Sequence, residues 1–176
     1  MGRLYYITGG AGSGKSEYAE QLAERLHAEL AGPLYYVATM NPAPRDSDAA
    51  ARIAKHQTRR AGRGYTTIEC PTDIAQLRTQ ASKNAVFLLE DLTNLYANEV
   101  YGTSGHPHEI VAPLLELAQQ GGALIIVANE LYSDGITYAP ETATFLRDLA
   151  GLAAELSTAA DQVTEVVYGI PVQLKA

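Results

Sequence analysis

Eight consecutive residues, Gly9-Gly10-Ala11-Gly12-Ser13-Gly14-Lys15-Ser16, fit the pattern G-x-x-x-x-G-K-[ST]. Glycines at these positions let the backbone turn its N–H groups inward around phosphate oxygens, and the helix that must follow adds the positive end of its dipole. In such a loop Lys15 reaches the outer phosphates of a nucleoside triphosphate and the Ser16 hydroxyl ligates magnesium. A Gly-rich turn with an incidental lysine would carry the same letters. Here the run lies between an apolar stretch, Leu4 to Thr8, and an amphipathic one that starts at Lys15, which is where phosphate binding requires it.

A phosphate loop of this kind needs an acid at the end of a neighbouring strand to hold the magnesium directly or through water. Val86-Phe87-Leu88-Leu89-Glu90-Asp91 supplies two. Glu90 continues the apolar run and is assigned to the site, while Asp91 is placed to cap the next helix through its side chain. The plainer alternative is that the two acids only end a strand and cap a helix.

A third group lies on Ala49 to Arg60, whose polar face gathers Arg52, Lys55, His56, Arg59 and Arg60. Arg52, His56 and Arg60 are spaced by four, which sets an imidazole between two guanidinium groups on one helical face. Two permanent cations disfavour the protonated imidazole and keep it nucleophilic near neutral pH, and the same cations would hold a polyphosphate. Phosphoryl or nucleotidyl transfer suits such a face. A solvated basic surface is the ordinary alternative, and the helix alone does not separate the two. His106 and His108 flank Pro107 without a third metal ligand nearby, so they are read as facing solvent, as is His27.

These groups have to be positioned by elements that the periodicity marks out. Short β-branched and aromatic runs at Leu4 to Thr8, Leu34 to Thr39, Tyr65 to Glu69, Val86 to Glu90, Ala123 to Asn129 and Val163 to Tyr168 alternate with helical patterns. The helical patterns cover Lys15 to Leu30, Ser47 to Thr58, Asp73 to Ala81, Leu92 to Tyr101, His108 to Gln120 and Glu141 to Ala159. That alternation predicts an α/β fold with a mostly parallel sheet flanked by helices. In the first helix Tyr18, Leu22 and Leu26 form one apolar stripe against the sheet. After Gly169-Ile170-Pro171, Val172 to Lys175 is predicted to return as an edge hairpin. Asn41 to Arg45 and Gly102 to Pro107 read as loops, and Asn129-Glu130 ends a strand where parallel sheets place ligands, as a substrate contact or a helix cap.

The bulk properties narrow the partners. One domain, 1–176, is expected at this length. A net charge of -7 argues against nucleic acid, which needs clustered Lys and Arg. No apolar run approaches a membrane span, and the start has no secretory pattern, so a soluble cytoplasmic protein acting on small molecules is expected. The one cysteine, Cys70, sits between Ile68-Glu69 and Pro71 at a strand end and is read as packing.

Taken together, the chain resembles the bifunctional adenosylcobinamide kinase/adenosylcobinamide-phosphate guanylyltransferase family of cobalamin biosynthesis. The resemblance is carried by Ile7-Thr8-Gly9-Gly10-Ala11 with Ser13-Gly14-Lys15-Ser16, by Tyr36-Val37-Ala38-Thr39, and by Ala51-Arg52-Ile53 followed by His56 and Arg60. Further carriers are Glu69, Leu88-Leu89-Glu90 with Leu92-Thr93 and Asn98, Val127-Ala128-Asn129-Glu130, Phe145 to Gly151, Ala159 to Val163, and Gly169-Ile170-Pro171 with Lys175. The resemblance implies a RecA-like P-loop NTPase fold, usually a trimer, with GTP, ATP and Mg2+ as cofactors and a corrinoid as substrate. It implies two reactions. A nucleoside triphosphate phosphorylates the hydroxyl of the aminopropanol arm of adenosylcobinamide. Then the histidine matched by His56 attacks the α-phosphorus of GTP, releases pyrophosphate, and passes GMP to the cobinamide phosphate. The implied nucleotide contacts are Gly9 to Ser16, Ala38, Thr39, Met40, Gln57, Thr58, Arg59, Arg60, Glu69 and Glu90.

The chain departs from the family pattern at several points. A family arginine in the phosphate loop is Gly12, and a Gly-rich turn after Glu130 becomes the longer Leu131 to Pro140. An asparagine after Gly151 gives way to alanine around Ala153-Ala154, and an Arg-Pro pair with a later tryptophan reads Arg60-Ala61 and Tyr65. A guanylyltransferase without kinase activity, a P-loop kinase of another small molecule using Lys15, Ser16 and Glu90, and a nucleotide-binding regulator without turnover therefore stay open beside the bifunctional reading.

Overall fold

A computed structural model of the chain describes residues 2–40, 54, 58, 60–102 and 109–176. In chain order its elements are β1 (Arg3–Gly9), α1 (Lys15–Leu30), β2 (Leu34–Ala38), β3 (Tyr65–Glu69), a 3-10 helix (Ile74–Gln80), β4 (Val86–Glu90), α2 (Leu92–Tyr101), α3 (Val111–Gln120), β5 (Ala123–Asn129), α4 (Pro140–Ala159), β6 (Gln162–Val167) and β7 (Ile170–Lys175). The strands form one sheet in the order β3-β2-β4-β5-β1-β6-β7, parallel throughout except for the β6–β7 pair. The α/β class and the edge hairpin expected from the sequence are both present. No helix among the described residues is long and apolar enough to cross a membrane.

Both faces of the sheet are covered, which is why the central strands are apolar along their whole length. Leu4 and Tyr6 of β1 point into one core with Leu95, Leu114, Leu117, Leu149 and Leu156 from α2, α3 and α4. Tyr5 and Ile7 point into the other core, against Leu22 and Leu26 of α1, with Tyr18 packed at its margin. Each of the two buried leucines removes enough apolar surface from water to stabilise the layer by about 2 kcal/mol. Cys70 is fully buried, and burial pushes its thiol up to about 11, in keeping with a packing role.

Most bounds of the described elements fall within one residue of the sequence expectation, and three elements differ by more or in kind, each for a local reason. Asp73 to Ala81 forms a 3-10 helix over Ile74–Gln80, not an α-helix. Its two buried residues, Ile74 and Leu77, are three apart, and a helix of three residues per turn puts them on one line toward the core. The helix predicted from His108 begins at Val111. Starting there keeps Pro113 in the first turn, where no N–H is needed; an earlier start would have put the ring against a helical carbonyl. The hairpin turn is Tyr168-Gly169, both with positive φ (49° and 79°), and Pro171 lies inside the edge strand β7, where its missing N–H costs no ladder bond. Most of the predicted Ser47 to Thr58 helix and all of the Asn41 to Arg45 loop lie outside the described residues; Ala54, Thr58 and Arg60 are helical, and the Thr58 hydroxyl donates to Ala54 O at 2.9 Å.

Candidate active site

The register of the parallel strands sets functional residues side by side at one edge of the sheet. Glu69 pairs with Ala38, Ala38 with Glu90, and Glu90 with Val127; next to them Gly9 pairs with Asn129. These are the carboxyl ends of the strands, where open α/β sheets bind ligands. A cleft of about 390 Å³ opens there. Its floor is Ala11, Gly12, Lys15 and Ser16 from the phosphate loop, and its walls include Ala38, Met40, Arg60, Glu69 and Glu90.

The loop between β1 and α1 has the shape its glycines were expected to permit. Gly14 caps α1 with φ 93°, a conformation other residues rarely adopt, and a Cβ there would lie 3.2 Å from Gly169 Cα. A Cβ on Gly9 would lie 2.5 Å from Val166 O. The loop is therefore seated on the β6–β7 turn, whose Gly169 N–H donates to Ser13 O at 2.7 Å. Lys15 is buried, and its ammonium donates to Gly10 O at 2.9 Å within its own loop. Burial lowers the Lys15 pKa, and the nearby Asp91 and Glu90 carboxylates oppose that shift.

Ser16 Oγ donates to Glu90 Oε1, so a hydroxyl and a carboxylate oxygen converge beside the loop. Such hard oxygen donors suit magnesium, and the pair fits the metal role expected of Ser16 and Glu90. Asp91 takes the other role foreseen for it: its Oδ1 accepts the Asn94 N–H at 2.7 Å and caps α2. Its Oδ2 accepts from Asn129 Nδ2 at 3.1 Å, so Asn129 is tied to the cap and also lines the cleft. Burial raises the Asp91 pKa, partly opposed by the Asn94 hydrogen bond.

Thr39, expected among the nucleotide contacts, is fully buried. Its hydroxyl donates to Asp91 O at 2.8 Å and accepts the Asp91 N–H at 2.7 Å, clamping the end of β2 to the end of β4. Ala38 and Met40 on either side of it line the cleft. Asn98 adds to the same clamp by donating to Thr39 O at 2.8 Å and to Pro71 O at 3.0 Å. Thr58 is exposed and does not line the cleft. His56, Gln57 and Arg59 lie outside the described residues, as do Arg52, Lys55, His106 and His108.

Arg60 is the described member of the cationic face, and it is not solvated: 6% of it is exposed. Its guanidinium carbon lies 3.2 Å from the centre of the Tyr36 ring, a cation on an aromatic face. Nε and Nη1 are buried without a hydrogen-bond partner among the described residues. A buried guanidinium with free donors beside a phosphate loop is prepared for an anion.

Tyr36 entered the sequence reading only within the Tyr36-Val37-Ala38-Thr39 run and was given no role at the site, because an aromatic residue in an apolar strand reads as core. It carries Arg60 on its face, and its hydroxyl donates to Glu90 Oε2 at 3.3 Å. Burial and the Glu90 carboxylate push the Tyr36 pKa up, so it remains a proton donor to that acid at neutral pH. Asn94 was also missed; a polar residue in the first turn after a strand that ends in acids was the available signal.

Comparison with known proteins agrees with this geometry. The family described as "Cobinamide kinase / cobinamide phosphate guanyltransferase" matches residues 5–174. The chain is 30% identical over 175 residues to the bifunctional adenosylcobalamin biosynthesis protein CobP of Pseudomonas aeruginosa, covering 96% of this chain and 95% of that protein. It is 30% identical over 188 residues to the bifunctional adenosylcobalamin biosynthesis protein CobU of Escherichia coli, covering 98% and 99%. Among solved structures, the flagellar accessory protein FlaH of Methanocaldococcus jannaschii superposes with a TM-score of 0.56 at 12% identity, covering 98% of this chain and 78% of that one. That likeness concerns the P-loop fold alone.

Proposed function

The chain belongs to the cobinamide kinase/cobinamide phosphate guanyltransferase family, and we propose that it performs both reactions of that name, on one domain spanning residues 1–176. The observation that supports the reading most directly is the convergence, in one cleft, of a phosphate loop, the Ser16–Glu90 pair and the buried, unpaired donors of Arg60. A triphosphate entering the cleft displaces the Lys15 ammonium from Gly10 O and meets the inward N–H groups of Gly9 to Ser16. Arg60 completes the cradle from the opposite wall, with Ala38, Met40 and Glu69 around the nucleotide. Ser16 and Glu90 would hold a magnesium ion, which when bound supplies neutralisation of the phosphate charge.

In the first reaction the acceptor hydroxyl forms a bond to the γ-phosphorus as the bond to the nucleoside diphosphate breaks. Lys15 and Arg60 hold the departing charge. The second reaction assigns His56 as nucleophile: its ring nitrogen bonds to the α-phosphorus of GTP and pyrophosphate leaves. The phosphate oxygen of cobinamide phosphate then takes GMP from the histidine. The same cradle holds the diphosphate leaving group of the first reaction and the pyrophosphate of the guanylylation, and the His56 ring nitrogen is the leaving group when GMP passes on. Whether ATP or GTP donates the γ-phosphoryl group is set by contacts to the base. Assembly as a trimer belongs to the same reading, and the exposed Ile170, Val172 and Leu174 of β7 suit association.

The test is labelling. With folded protein and magnesium, α-labelled GTP is expected to leave an acid-labile, alkali-stable label on the protein that His56→Ala abolishes, and γ-labelled triphosphate is expected to label cobinamide. Absence of the protein label with intact transfer to cobinamide would reduce the enzyme to a kinase.

A further inference from the structure

The ten residues after Glu130, Leu131 to Pro140, are all exposed, yet the segment is rich in large apolar side chains. Leu131, Tyr132, Ile136 and Tyr138 are 38%, 38%, 62% and 37% exposed. Ile136 is mostly in water and the other three present part of their surface beside it, and such contiguous apolar clusters mark binding surfaces.

The loop is braced by its own polar groups. Glu130 accepts the Tyr132 N–H at 3.0 Å and the Ser133 hydroxyl at 2.7 Å; Asp134 accepts the Ile136 N–H at 2.9 Å and the Tyr138 hydroxyl. These bonds fix the backbone and use the Tyr138 hydroxyl, so the Tyr138 ring is offered as an apolar face. Two grooves of about 550 and 450 Å³ flank the loop and share Asp134, Tyr138 and Leu146, so they form one continuous surface. It extends onto Phe145 of α4, which stacks on the exposed Tyr101 of α2 at 5.7 Å between ring centres.

The position of this surface identifies its occupant. Asn129 lines the phosphate cleft and the next residue, Glu130, lines one of the grooves, while the Glu130 N–H donates to Gly9 O at 3.2 Å. The apolar rim and the phosphate loop therefore share a border. Phosphoryl transfer requires the acceptor hydroxyl in line with the terminal phosphate, so the bulk of a large acceptor must rest on a surface that adjoins the cleft.

We propose that the Leu131 to Pro140 rim, with Phe145 and Tyr101, seats the macrocyclic body of the acceptor, a broad ring edged by methyl groups and amide arms that delivers its side-arm hydroxyl into the cleft. This inference rests on the cobinamide reading given above. It assigns acceptor recognition to the β5–α4 connection and leaves the nucleotide to the opposite wall.

The test measures acceptor and nucleotide separately. Adenosylcobinamide is the acceptor probe, and displacement of a fluorescent triphosphate analogue reports nucleotide binding. Ile136→Asp and Tyr138→Ala, both on exposed side chains, are expected to raise the KM for adenosylcobinamide about ten-fold or more, the scale of a lost apolar contact. Triphosphate affinity is expected to stay within about two-fold. An unchanged acceptor KM in both variants overturns the proposal. So does a rise in triphosphate dissociation with the acceptor KM unmoved, which would assign the rim to the nucleotide base. Wild-type enzyme that binds triphosphate but transfers nothing to adenosylcobinamide would overturn the cobinamide reading itself, an outcome separate from the other two because it needs no variant.

Discussion

The two walls of the cleft commit their polar groups in opposite ways. On the phosphate-loop side the functional groups are quenched: Lys15 is bonded to Gly10 O and Ser16 to Glu90. On the β2 side Arg60 is buried against the face of Tyr36, with Nε and Nη1 unpaired among the described residues. A ligand must compete with internal bonds on the first wall and finds donors waiting on the second. On the function proposed above, the loop contributes selectivity for a full triphosphate and the Arg60 wall supplies attraction for the anion.

Variants at four positions would break or sharpen that contrast. Lys15→Met should have the largest effect, lowering turnover at least about a hundred-fold, as expected when one donor to developing phosphate charge is removed. Its ligand-free melting temperature should not fall, because burial disfavours the Lys15 cation and methionine removes that cost. A large drop in stability would mean that the lysine is structural, and the contrast would fail.

Arg60→Ala comes next. Losing charge-assisted bonds to an anion costs about 1.5–3 kcal/mol, or about ten- to a hundred-fold in the triphosphate Kd. Arg60→Lys should recover little of it, since an ammonium neither stacks on Tyr36 nor presents two donors in a plane. Equal affinities for Arg60→Ala and wild type in a binding titration would remove the second wall from the site.

Tyr36→Phe is expected to act through Glu90. Losing the 3.3 Å hydrogen bond leaves the acid less well oriented, and a bond to a charged group is worth about 1.5–3 kcal/mol, with this long one at the lower end. The magnesium concentration for half-maximal activity should rise by up to about ten-fold, while triphosphate binding without metal stays near wild type because the ring under Arg60 is kept.

Asp91→Asn should have the smallest effect and show itself in the pH dependence of stability. Burial holds the Asp91 pKa above its ordinary 3.8. A carboxyl that binds its proton more tightly when folded adds stability below its unfolded pKa and loses it as pH rises through the folded one. Wild type should therefore weaken relative to Asp91→Asn between about pH 4 and neutrality, as read from denaturant melts at both ends of that window. The opposite slope would mean that the carboxylate is stabilised by its Asn94 and Asn129 bonds more than burial opposes it.

Legibility followed contiguity. The phosphate loop was readable because its eight residues are consecutive and each glycine or lysine has a backbone or charge role that depends on its immediate neighbours. Glu90 and Asp91 were separable because the first continues a strand and the second stands at a cap position. The role of Tyr36 was missed for the converse reason: its importance comes from Arg60 and Glu90, 24 and 54 positions away, and its own surroundings in sequence are those of a core strand. Thr39 was expected at the nucleotide because of the motif around it, whereas the sheet register turns its hydroxyl to the Asp91 backbone.

By itself, the sequence determined the alternation of strands and helices, the edge hairpin and the glycine-rich turn between β1 and α1, since these depend on periodicity and on the conformational range of residues adjacent in the chain. Only the tertiary structure decided that Arg60 is buried on Tyr36, that the β6–β7 turn supports the phosphate loop through Gly169, and that the apolar rim after β5 borders the cleft. Those contacts join segments far apart in the chain, and strand register and core packing bring them together.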